Sequence, residues 1–278
     1  MATPSQALRM SESPKTPKIE PGEIKPAATI LLLRDSPDFE VLMVKRHHQI
    51  DFASGALVFP GGKSHAGDHD PNWASHTVGW EAHDAEQRGL RIAAIREVFE
   101  EAGILLARRR DGQPMSGEAC PMEVRQAVDK GETRFIDVIS SLDAYLDLDA
   151  LTVFARWVTP EVVPKRFDTW FYAVTAPAEQ VAACDGHETV DAEWVAPSEA
   201  LRLAAAGERT VIFPTRMNLQ LLDEAASAAD AVARAETRPL VTVTPEVQKG
   251  PEGQRMLVLP PDAGYGAVAE PMDRVMGG

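Results

Sequence analysis

Three glutamates carry the clearest chemical signal in this sequence: Glu97, Glu100 and Glu101, in the run Arg96-Glu97-Val98-Phe99-Glu100-Glu101-Ala102-Gly103-Ile104. Residues three and four apart are neighbours on a helix, so these carboxylates share one face. Their repulsion costs roughly a few tenths of a kcal/mol per pair in water and more when desolvated. Arg96 offsets part of it through an i, i+4 pair with Glu100. Hard divalent cations prefer oxygen donors, so Mg²⁺ or Mn²⁺ would turn the repulsion into binding energy. A pair of adjacent glutamates alone is usually a solvated helix face. Here the helix also carries an arginine before the first glutamate and Gly-Ile at its close. Upstream, Phe59-Pro60-Gly61-Gly62 reads as a strand ending in a tight glycine turn.

The elements that must position these groups follow from periodicity. Ile92, Ile95, Phe99 and Ala102 form the apolar stripe of a helix about four turns long, starting near Gly89 and stopped by Gly103. Residues 26–34 and 40–46 flank the turn Asp35-Ser36-Pro37-Asp38 and predict a β-hairpin, with a third short strand over 55–59. Residues 63–88 hold four histidines (His65, His69, His76, His83) and little periodicity, which predicts a long loop or lid. No spacing among these histidines matches a zinc site. Helices are expected over 118–130 and 135–146, and strands over 151–158, 166–175 and 190–195. A helix opens at Pro197, and residues 215–236 predict the longest helix of the chain. Two short β-like runs, 240–244 and 256–259, fall near the C-terminus. Together these suggest one α/β domain over 25–236, after a flexible segment (1–24) and before a C-terminal extension (237–278).

Composition narrows the function. The chain has 278 residues, is 44% hydrophobic and 25% charged, and carries a formal net charge of −14. That charge argues against nucleic acid or an anionic membrane as partner. A phosphate-bearing substrate would need a bound cation or a local basic cluster to override the field. No apolar run approaches the roughly 18 residues that span a bilayer. Two cysteines, Cys120 and Cys184, suit a reduced, cytoplasmic setting. Neither has a catalytic partner nearby in sequence.

Residues 96–104 resemble the second half of the Nudix box, G-x5-E-x7-R-E-U-x-E-E-x-G-U with U apolar, and match every fixed position; Phe59 to Gly62 looks like its start. The resemblance implies a Nudix-like α/β/α sandwich with a mixed sheet and extra helices. It implies a small-molecule nucleotide substrate, and metal bound by Glu97, Glu100 and Glu101 with Arg96 orienting them. The spacing departs from the pattern. The family has 13 residues between the box glycine and the arginine; residues 63–95 make 33, an excess of 20. Counting back from Arg96 places Arg88 where the outer glutamate belongs, so Glu86 or Glu81 substitutes, or the group is missing.

Such an interrupted box is similar to the coenzyme A diphosphatase branch. Trp157-Val158-Thr159-Pro160, the strand Arg166 to Phe171, and residues 188–197 resemble further segments of that branch, whereas Asp51 stands where its fuller signature has arginine. The expected reaction is metal-assisted attack of water on a P–O–P bridge. Coenzyme A or acyl-CoA would give 3′,5′-ADP and (acyl-)phosphopantetheine. The alternatives are an ADP-ribose, dinucleotide or nucleotide-sugar pyrophosphatase, and a catalytically silent Nudix-fold binding module. Glu97 and Glu188 are the candidate general bases, with Glu188 preferred because metal-bound glutamates are poor bases. Lys45, Arg46 and Arg166 are candidates to grip phosphate beside Gly61 and Gly62, and Trp170 to stack an adenine or to fill the core. A homodimer is left open.

Overall fold

The computed structural model describes residues 22–46, 55–115, 120–177 and 189–276. At its centre is one mixed sheet. Strand β1 (Ile24–Asp35) turns back into β2 (Phe39–Arg46), the hairpin expected from the sequence. β3 (Leu57–Val58) pairs with β2, and β4 (Gly61–Lys63) pairs with β1. Thr77–Val78 forms β5, Ala107–Arg109 β6, Ala144–Asp147 β7, Thr152–Val158 β8, Arg166–Thr175 β9 and Thr189–Val195 β10. The sheet runs β10-β2-β1-β9-β8 and ends on β11 (Thr242–Val243), with β1 and β9 parallel. The residues after 236 therefore add a strand to the main sheet. A three-stranded sheet of Glu246–Lys249, Arg255–Val258 and Ala269–Pro271 follows.

β1 is buried on both sides, as its unbroken apolar run requires. Ala28, Ile30 and Leu32 pack toward helix α1 (Ala85–Ala102), while Leu31 and Leu33 pack toward the opposite layer. On the α1 side lie α2 (Met122–Asp129), α3 (Phe135–Ser141) and the small sheet β5-β7-β6. The other layer is α4 (Pro197–Ala205), α5 (Phe213–Asp223) and α6 (Ala228–Thr237). Helices on both faces of a mixed sheet make the expected α/β/α sandwich.

Several elements differ from the sequence reading. α1 starts at Ala85, where the Asp84 carboxylate accepts the Gln87 N–H at 2.8 Å, and it is the longest helix among the described residues. Residues 215–236 instead split into α5 and α6, because Ser227 caps a new start by accepting from Asp230 N and the Asp35 carboxylate accepts from Ala228 N. Residues 135–146 divide into α3 and β7 at Asp143, whose φ of 48° ends the helix. Between β4 and α1 the chain forms short 3₁₀ turns and β5, pinned by the buried Trp73, whose indole N–H donates to Gly67 O at 2.9 Å. This segment is packed against the domain rather than hung over it as a lid.

Candidate active site

α1 is buried along most of its surface from Gly89 to Ala102, including Arg96, Glu97, Glu100 and Glu101. Its apolar stripe faces the core as expected, while the carboxylate face is roofed by the β4 turn and the 3₁₀ segment. Gly103 stops the helix with φ 70° and returns its N–H to Phe99 O. Arg125 on α2 donates to Glu100 O at 2.8 Å, which fixes the turn that carries the glutamates.

Arg96 is the hub. Its Nη1 donates to Glu97 Oε1 at 2.9 Å and to Glu100 Oε2 at 2.8 Å. Nε and Nη2 grip Asp68 Oδ1 and Oδ2 at 2.9 and 3.1 Å, and Nη2 also donates to Lys63 O at 2.9 Å. Burial opposes the charge on Arg96, but the hydrogen bonds it donates to Asp68 and the neighbouring carboxylates hold its pKa above the ordinary guanidinium value. Glu100 is pushed up to about 8, chiefly by burial and further by Glu97, with Arg96 pulling the other way.

Asp68 was missed in the sequence. Measured forward from Gly62, five residues (63–67) precede it, the spacing of the box's outer glutamate. The expectation that Glu86 or Glu81 substitutes here, or that the group is missing, gives way to Asp68 held against Arg96. Arg88 binds Trp80 O and stacks on the Trp80 ring, and Glu81 is 91% exposed. The 20 extra residues thus fall after the outer carboxylate, between Asp68 and Arg96. Counting from the glycine as well as from the arginine would have found it, with aspartate in place of glutamate.

The two glycines work as close-approach points. Gly61 N–H donates to Glu101 Oε2 at 3.0 Å, and a Cβ on Gly62 would lie 2.5 Å from Glu97 Oε1. A larger residue at 62 would displace the Glu97 carboxylate. All the side chains gathered here are oxygen donors or the guanidinium, a set that suits a hard divalent ion. Among the described residues no three carboxylates already close on a single point, because Glu97 and Glu100 are drawn to Arg96.

The remaining expected site residues scatter. Lys45 lies half-buried on β2 and Arg46 ends that strand. Arg166 is buried, with Nε donating to Thr159 O at 3.1 Å, so that nitrogen is committed to holding the loop before β9. Trp170 is nine-tenths buried in the α1-side core, and Arg156 stacks on its ring at 4.7 Å. An adenine is therefore denied that face of the indole. Glu188 lies outside the described residues.

A family model described as the NUDT19 Nudix domain matches residues 83–220, which begins just before the glutamate helix. Over this stretch the chain matches the Nudix superfamily. It is 27% identical to an acyl-coenzyme A diphosphatase NUDT19 of Xenopus laevis, over 60% of this chain and 55% of that protein. The Homo sapiens protein of the same name is also 27% identical, over 69% of this chain and 62% of its own length. The chain thus spans less than two thirds of the length of these curated relatives. A crystal structure of a Nudix hydrolase from Alicyclobacillus acidocaldarius superposes with a TM-score of 0.67 at 29% identity, covering 76% of this chain and 96% of that one. The Nudix fold and its box helix thus coincide with the site built above.

Proposed function

We propose that the chain hydrolyses the diphosphate bridge of a nucleoside diphosphate derivative, with coenzyme A or a short acyl-CoA as substrate. The products would be 3′,5′-ADP and (acyl-)phosphopantetheine. The observation that carries the reading is the buried Arg96 hub, which arrays Glu97 and Glu100 beside Glu101 and the Gly61-Gly62 turn. The names of the similar proteins support the substrate class.

Glu97, Glu100 and Glu101 would hold Mg²⁺ or Mn²⁺, which when bound supplies charge neutralisation at the bridge and acidifies water. The chain's own groups do the rest. Arg96, clamped by Asp68, fixes the orientation of two of the ligating carboxylates. Gly61 and Gly62 let the backbone approach Glu101 and Glu97 closely. Lys45 and Arg46 would offer positive charge to phosphate in a chain whose global field repels it. Glu188 takes the proton of the attacking water.

Incubation with Mg²⁺ and a panel of coenzyme A, ADP-ribose and dinucleotides, with products identified, tests the proposal. Release of 3′,5′-ADP from coenzyme A is expected, lost in Glu97→Gln. If no member is cleaved, or if Glu97→Gln matches the parent, the hydrolase reading fails.

A further inference from the structure

We propose that Arg156 is the platform on which the base of the substrate's nucleoside stacks, an inference that rests on the nucleoside diphosphate reading above. Gly62, Ala28, Trp170 and Arg156 stand directly opposite one another on four adjacent strands, β4, β1, β9 and β8. Residues opposite one another across a sheet point to the same face. Gly62 presents that face to the Glu97 carboxylate, so Arg156 lies on the glutamate side. Three strand spacings separate it from Gly62, roughly 14 Å. A diphosphate at the glutamates, followed by one nucleoside, covers that span.

The guanidinium is built as a flat, fixed surface. Asp168 accepts from Nε at 2.9 Å and from Nη2 at 2.6 Å, a bidentate clamp that sets the plane. Trp170 backs one face, with the guanidinium carbon 4.7 Å from the ring centroid. Trp170 is itself locked in the core, whereas the Arg156 side chain keeps 31% exposure. What solvent reaches is therefore the arginine, and the tryptophan is its support. Asp168 neutralises the charge, and Glu86 on the first turn of α1 adds further negative field. A guanidinium so compensated has little charge left for a phosphate but retains its π-face, and nucleobases stack on guanidinium planes. Its hydrogen bonds use Nε and Nη2, which leaves Nη1, among the described residues, to reach an acceptor on the base.

Calorimetric titration of the full chain with AMP, 3′,5′-ADP and ribose 5-phosphate tests this, with coenzyme A turnover measured on the same preparations. Arg156→Ala should weaken AMP and 3′,5′-ADP alike by about ten-fold and leave ribose 5-phosphate unchanged. Arg156→Lys keeps the charge without the plane and should behave as Arg156→Ala does. Full affinity in the lysine variant, or a loss confined to 3′,5′-ADP, would mean a phosphate contact and overturn the platform. So would unchanged AMP affinity in both variants, or no AMP binding by the parent. Arg156-dependent AMP binding without any turnover would instead overturn the hydrolase reading alone.

Discussion

The two faces of the central sheet are sealed by different chemistry. On the α1 side, Asp68, Arg91, Arg96, Glu97, Glu100, Glu101 and Arg125 are all buried, whereas the buried polar groups of α5 on the other side are the neutral Thr215 and Asn218. On that second side Tyr265 closes a neutral chain, accepting from Trp157 Nε1 at 3.0 Å and donating to Asn218 Oδ1 at 2.8 Å. Replacing buried ion pairs by well-packed apolar groups is often neutral or stabilising. Fully buried charge kept inside one face and, among the described residues, not found in the other therefore marks where stability was subordinated to chemistry. The opposite face is the scaffold.

The largest effect should come from the hub. Arg96→Met leaves Asp68, Glu97 and Glu100 buried without their shared cation, costing about 3–5 kcal/mol of stability and abolishing turnover. Thermal melts and the coenzyme A assay read both. The matching change on the scaffold face is Leu222→Ala, fully buried on α5, which should cost about 2–5 kcal/mol. Its folded fraction should keep parental kcat at a permissive temperature. Loss of kcat in folded Leu222→Ala would break the division between the faces.

The same division governs what the sequence disclosed. The glutamate helix, the first hairpin and strands β8 and β9 were legible because each is a local pattern: 3.6-residue spacing, turn residues, alternation. The contacts that shape the site join distant positions. Asp68 meets Arg96 across 28 residues, and its box spacing shows only when counted from the glycine. Residues 215–236 read as one helix since alanine and leucine favour it throughout, yet the Asp35 carboxylate, 193 residues away, caps a second start at Ala228. Trp170 was legible as an aromatic on a site-facing strand. That Arg156 covers it depends on the register between β8 and β9, which no single strand reveals.

Asp68→Asn is the sharper probe of the hub. It keeps the shape but leaves one acceptor in place of the two that Arg96 Nε and Nη2 use, and removes the charge that completes the hub. Groups that orient metal ligands typically contribute about 10–100-fold to affinity or activity, and that loss is expected here in the Mg²⁺ dependence of turnover. On the scaffold face Tyr265→Phe strips partners from both Trp157 and Asn218. About 1–3 kcal/mol of stability should go, with kcat intact. A hub variant that loses only stability, or a Tyr265→Phe that loses only activity, would reverse the assignment of roles.

The smallest effect tests whether the site face is also the pH-sensitive one. His83 bridges the segment before α1 to the turn before β8, with Nε2 and Asp149 Oδ1 3.0 Å apart. Burial lowers its pKa, Arg91 lowers it further, and Asp149 only partly restores it. A histidine whose folded pKa lies below its unfolded value of about 6.5 takes up a proton on unfolding. Its contribution to stability is therefore complete above that pH and is lost as pH falls toward the folded pKa. Between pH 7 and 5.5 the melting temperature of the parent should drop further than that of His83→Gln, in which this titration is gone. An equal drop in both proteins would show that the acid sensitivity resides in other groups.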